Sequence, residues 1–172
     1  MFQNPGIPLE ELPGTDAVEW QALHPRYALV IHVASAAILV TIAIAMAVLS
    51  LALHVPWVPV GILYLALFIA AVFSMTWPGI AVKRCGYVLR DKDILFRKGV
   101  IWHSVTAIPF NRVQHVETSS TPLERRFGLA TLQLFTAGGS GGDLKIGGLC
   151  KDVAEKLRAF ILKKAGSAIE HN

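Results

Sequence analysis

The chain has 172 residues, of which 53% are hydrophobic and 16% charged, with a formal net charge of +4. A typical soluble domain carries about a quarter charged residues, so this one is short of solvating side chains, and its apolar content excludes a disordered chain. Two cysteines, Cys85 and Cys150, exclude a disulfide scaffold.

Charge divides the chain into three. Met1 to Arg26 holds four acids against one base, and Lys83 to Asn172 holds fifteen bases against eight acids. Between them, from Tyr27 to Val82, no Lys, Arg, Asp or Glu occurs. Residues 1–26 are expected to be an N-terminal tail, loose over Met1 to Thr15 where prolines and acids collect.

The first apolar run is Tyr27 to Leu53 and the second Val58 to Trp77. As helices they reach about 40 Å and about 30 Å, against a hydrocarbon core of about 30 Å. His54-Val55-Pro56-Trp57 is too short to join them except as an antiparallel hairpin, and Pro56 stops the first helix. Two uncharged runs of spanning length are hard to house as core helices in so small a chain. The first run is also not a signal peptide, because it follows 26 mostly polar residues and lacks a basic n-region. The turn has no base, whereas Arg26, Lys83 and Arg84 flank the runs, so the positive-inside rule puts both termini in the cytoplasm. Tyr27 and Trp77 then mark the inner interface and Trp57 the outer one. Ala66, Ala70 and Ser74 are spaced by four in the second run, as are Ala37, Thr41 and Ala45 in the first. Such stripes of small residues close a hairpin or build an oligomer. His32, five residues in from Tyr27, is read as reaching the headgroups or a helix partner.

Beyond Pro78-Gly79 the texture becomes β-like. Strands are expected over Tyr87-Leu89, Ile94-Arg97, Val100-Ile108, Arg112-Thr118, Leu129-Thr136 and Asp143-Ile146, with Gly138-Gly142 as a hairpin tip. Thr121-Pro122-Leu123-Glu124 reads as a capping box opening a short helix that Gly128 stops. A final helix begins at Asp152, presents Val153, Leu157, Phe160 and Ile161 as one stripe, and ends at Gly166. The domain thus runs over 83–166, with 167–172 as a C-terminal tail. The fold class is α+β: a two-helix transmembrane hairpin, then six to seven antiparallel strands closed by a C-terminal helix.

The stretch GYVLRDKDILFRKGVIWHSVTAIPFNRVQHVETSSTPLERRFGLATLQLFTAGG resembles the bacterial pleckstrin-homology-like, membrane-flanked domain of YdbS-like proteins. The likeness rests on the Gly99 turn, on Ile108-Pro109 leading to Arg112-Val113-Gln114-His115-Val116, and on Arg126-Phe127-Gly128-Leu129-Ala130-Thr131. His24-Pro25 before the first run also fits. It covers Trp20 to Ala165. The resemblance implies a PH-like split barrel at a bacterial inner membrane and, as a partner, a larger membrane protein with related domains. It implies no catalytic residues and no cofactor.

The residues themselves point the same way. Gly138-Gly142 lacks the Lys-Ser/Thr ending of a phosphate loop. No nucleophile is paired with a base. His103 and His115 lack ligand-spaced neighbours for a metal. A nucleic-acid partner has no motif to support it. What remains is basic charge tethered close to a bilayer: Lys83, Arg84, Lys92, Arg97, Lys98, Arg125 and Arg126 are the candidate membrane-surface contacts, with Lys163 and Lys164 also available. The first hairpin turn, Arg90-Asp91-Lys92-Asp93, alternates bases with acids and departs from the basic cluster of phosphoinositide-binding PH domains. The expected function is non-enzymatic binding of a partner membrane protein or of anionic headgroups. The alternative is a small oligomerising subunit of an envelope-stress or transport system, in which the spans carry the function through Ala66, Ala70 and Ser74.

Overall fold

The computed structural model describes residues 19–136 and 144–169. The Met1 to Thr15 tail, the Gly138-Gly142 tip and the last three residues lie outside them. Two long helices come first, α1 over Arg26–Ala52 and α2 over Trp57–Arg84. Both are long and apolar enough to cross a membrane, and neither is buried within the protein over its most apolar window, at 6% and 0%. A backbone in lipid must satisfy its own hydrogen bonds, and a continuous helix does so.

The turn between them is tightly built. Val55 N–H donates to Ser50 O at 3.2 Å and His54 N–H to Leu51 O at 3.4 Å, with His54 at φ 48°. This is a Schellman ending in which His54 takes the left-handed position that glycine usually holds. Pro56 then prevents continuation.

The second helix does not stop at Trp77. It continues through Pro78 and Gly79 to Arg84. Pro78 forfeits one ladder bond, but Pro78 and Val82 are both buried, and packing against the domain holds the last two turns. At 28 residues α2 is about 42 Å long, close to the thickness of a bilayer with its headgroups, about 40–45 Å.

Seven strands follow two sheet orders. The first sheet is β1-β2-β3-β4 and the second β5-β6-β7, all neighbours antiparallel. Here β1 is Gln21–Ala22, β2 Gly86–Leu89, β3 Asp93–Lys98, β4 Ser104–Pro109, β5 Val113–Ser119, β6 Leu129–Thr136 and β7 Leu144–Cys150. The sheets are not hydrogen-bonded into a closed barrel, which makes this a split arrangement. The first strand comes from the expected tail: Gln21 and Ala22 pair with Tyr87 and Gly86, so the residues just before α1 belong to the domain.

A short helix, α3 (Pro122–Arg126), carries the full capping box of Thr121 and Glu124. The last helix, α4 (Lys151–Ile169), runs past Gly166. Its buried stripe is Ala154, Leu157, Ile161 and Ala165, while Val153 is exposed and Phe160 half-buried. The expected stripe is rotated by about one residue, because two alanines, too small to stand out in a hydropathy pattern, are buried on it. Phe160 meets Phe110 edge-on at 6.1 Å. The core is one body made of Ile94, Phe96, Val116, Leu132, Leu134 and Ile146 from the sheets and Leu157 and Ile161 from α4.

The strand expected from Val100 begins only at Ser104. Gly99 sits at φ 114°, and the Trp102 backbone carbonyl occupies the place of the Cβ it lacks. The chain turns sharply there and leaves residues 99–103 as a loop.

Candidate membrane-surface site

The hairpin and the domain meet through the base of α1. Tyr27 lies across Gly147 and Gly148, where a Cβ on Gly148 would strike the tyrosine ring carbons and one on Gly147 its hydroxyl. Gly148 also has φ 74°, which only glycine adopts without strain. Next to this cradle His24 N–H donates to Gly148 O at 2.9 Å. Leu23 and Val30 are buried, and Tyr27, Ala28 and Ile31 pack on the core. The first turns of α1 are therefore part of the domain's interior.

Beneath α1 lies a polar pair. Glu124, only 6% exposed, accepts from Thr121 N–H at 2.8 Å through one carboxylate oxygen and from Thr131 Oγ1 at 2.9 Å through the other. Both oxygens are thus satisfied, which offsets the cost of burying them. A cavity of about 550 Å³ opens beside this pair, between Tyr27, Ile31 and Ala34 of α1 and Ser119, Leu123 and Lys145. On the other side of the stalk the Arg97 guanidinium lies 4.6 Å from the centre of the Trp20 ring, and Arg84 Nη1 donates to Val100 O at 3.3 Å. Burial pushes the phenol of Tyr87, on β2, above its ordinary range and keeps it neutral.

The basic residues sort into three places. Lys83 and Arg84 end α2, and the pairing of Arg97 with Gly86 puts Arg97 and Lys98 beside that end. Arg125 and Arg126 are exposed on α3, against the α1 side of the stalk. Lys92 stands apart, at the far turn of the β2–β3 hairpin, where Lys164 Nζ meets the neighbouring Asp91 at 3.1 Å. The small residues divide too. Ser74 is half-buried, while Ala66 and Ala70 are exposed on α2, as are Ala37, Thr41 and Ala45 on α1. The hairpin closes on a neighbouring stripe that includes Ser35, Leu39 and Ala43. Two features escape a reading of residue types alone: Lys145, exposed between buried Leu144 and Ile146, and the pair Ile101-Trp102, which β-propensity assigns to a strand.

Among the described residues no group of three or more His, Cys, Asp or Glu side chains is placed to hold a metal ion. His103 and His115 are exposed, and Cys85 and Cys150 are free and half-buried.

The family model described as "Bacterial PH domain" matches residues 28–165, from the first turn of the first long helix to Ala165 on α4. The chain belongs to the bacterial PH domain family. A relative, the UPF0699 transmembrane protein YdbS of Bacillus subtilis (strain 168), is 35% identical over 104 residues, covering 59% of this chain and 64% of that protein. The matched region therefore spans less than two-thirds of the relative's length. No solved structure matches. In this bacterial PH domain protein the family match runs unbroken across the two long apolar helices and the sheets, and Ala28, Val82 and Leu149 share one core.

Proposed function

We propose that this protein is a non-enzymatic binding module held against the cytoplasmic face of a bacterial inner membrane, with both termini inside, and that it contacts anionic headgroups through the basic rim around its stalk. The observation that carries this reading is the fusion of stalk and domain. The Tyr27 cradle, the His24–Gly148 bond and the β1–β2 pairing hold Lys83, Arg84, Arg97 and Lys98 on one side of the helices and Arg125 and Arg126 on the other. A base near an anionic leaflet is worth about 1 kcal/mol, so four to six that face it together bind headgroups usefully. The absence of bases from the outer turn and their presence at Arg26, Lys83 and Arg84 support the orientation.

The test uses the full chain in nanodiscs of mixed phosphatidylcholine and phosphatidylglycerol, with the lipids retained on extraction counted by mass spectrometry. Enrichment of phosphatidylglycerol that falls with salt supports the reading. Retention in proportion to the bulk mixture contradicts it.

A second reading, a partner membrane protein with related PH-like domains or a second copy of this chain, is favoured by β4. That strand is the outer edge of its sheet, and Ser104, Val105, Thr106 and Ala107 are exposed and uncharged. Such an edge is a template for another strand. Exposed Ala66 and Ala70 offer a helix face for the same purpose. Purification from membranes in mild detergent tests it, and a bare monomer without a companion counts against it.

A further inference from the structure

We infer that the Gly99–His103 loop is a membrane wedge, in which Ile101 and Trp102 enter the boundary between headgroups and acyl chains in the leaflet next to the domain. The inference rests on the reading that the domain lies against that leaflet, and adds an apolar contact to it.

Ile101 is 69% exposed and Trp102 88%. Among the described residues outside the two long helices and their turn, no other large apolar side chain is as exposed. A soluble surface gains nothing from an adjacent isoleucine and tryptophan in water. A bilayer interface does, because indole prefers the headgroup zone, with its ring in an apolar layer and its N–H among polar groups.

The loop's height follows from its anchor. Arg84, whose Nη1 holds Val100 O, is the last residue of α2, and α2 is about as long as the whole bilayer is thick. With Trp57 at one interface, Arg84 reaches the headgroups of the other. Arg84 ties the loop there at Val100, and the turn at Gly99 folds the chain back so that the Trp102 carbonyl lies against it. Lys83, Arg84 and Lys98, all exposed, flank it with cations that pair with lipid phosphates. The apolar tip, its basic collar and its continuity with a helix already in lipid select a bilayer over a protein groove as the occupant.

The test is depth-dependent quenching of Trp102 in the full chain, in nanodiscs of phosphatidylcholine brominated near the glycerol end of its chains. Trp20, Trp57 and Trp77 are replaced by Phe. As a second route that spares them, the native chain is compared with Trp102→Phe and the difference taken. The wedge predicts blue-shifted Trp102 emission that brominated lipid largely abolishes and aqueous iodide barely touches. Red-shifted emission quenched by iodide and not by brominated lipid overturns it, whether the side chain faces water or waits for a protein partner. Neutral lipid separates this result from the headgroup reading. Quenching without phosphatidylglycerol enrichment leaves the wedge standing alone, and enrichment with Trp102 in water removes only the wedge.

Discussion

His32 Nε2 stands 2.8 Å from the carbonyl oxygen of Met75, so the imidazole of one transmembrane helix donates to the backbone of the other. Pro78, three residues on, lacks the N–H that would bond Ser74 O, the carbonyl before that of Met75, and His32 adds a donor to the same turn of α2. Ser74 and Thr76 turn their hydroxyls onto carbonyls of the same stretch, Ser74 to Ala71 and Thr76 to Val72 and Phe73. Interhelical bonds of this kind in lipid contribute about 1 kcal/mol. His32→Phe is therefore expected to lower hairpin stability by about that amount in a detergent unfolding titration, with His32→Gln, which keeps an N–H, closer to the native value. A His32→Phe protein as stable as the native one would remove the bond's role.

Replacement of the cradle glycines separates two causes. Gly147→Ala places a methyl against the Tyr27 hydroxyl, and Tyr27→Phe in the same chain is expected to recover most of the loss. Gly148→Ala is expected to cost about 1–2 kcal/mol or more and to gain little from Tyr27→Phe, because the ring carbons and the positive φ remain. Thermal melting of the four variants checks this. Equal rescue at both positions would show that the hydroxyl alone sets the fit.

The buried Glu124 serves two donors at once. Glu124→Leu strands the Thr121 N–H and the Thr131 hydroxyl and is expected to lose about 2–3 kcal/mol. Glu124→Gln keeps an acceptor for Thr121 and is expected to lose less. Denaturant midpoints rank them, and the opposite ranking would contradict the network.

Charge reversal distinguishes the bases at the end of α2 from the one on the far turn. Arg84→Glu and Lys98→Glu are each expected to weaken phosphatidylglycerol retention by more than about fivefold, from about 1 kcal/mol for the base lost and further repulsion from the acid gained. Lys92→Glu, on the far turn beside Asp91, is expected to leave it unchanged. Equal effects at all three positions would mean that net charge, and not the rim, is responsible.

Ala70→Leu probes the exposed face of α2. If copies associate through Ala66 and Ala70, the bulkier side chain reduces the assembly to monomers on a sizing column. Unchanged size would leave the face to lipid.

The architecture was legible because lipid imposes a crude requirement: an uncharged stretch about fifty residues long has few other homes. The Thr121–Glu124 box was legible because a cap is local chemistry. Long-range packing was less so. Gln21 and Ala22 carry no strand signal, since two residues become a strand only when β2 offers an edge. The stripe of α4 differs from the hydropathy pattern at Val153, because Ala154 and Ala165 are weakly hydrophobic yet buried. Helix α2 outran Pro78 because burial of Val82 outweighed one missing bond. At the candidate site, residue type identified the bases, but only the strand register separated Lys92 from Lys98. Trp102 was hidden inside a β-prone run until Gly99 proved to be a turn.

Everything functional depends on which side of the membrane the domain faces. Single cysteines at Val55 in the turn and at Lys98 on the domain, in a chain with Cys85 and Cys150 replaced by Ala, can be labelled in spheroplasts with a membrane-impermeant maleimide. The account predicts that the Val55 position labels at once and the Lys98 position only after the membrane is opened. Labelling of Lys98→Cys from outside, with Val55→Cys protected, would contradict it.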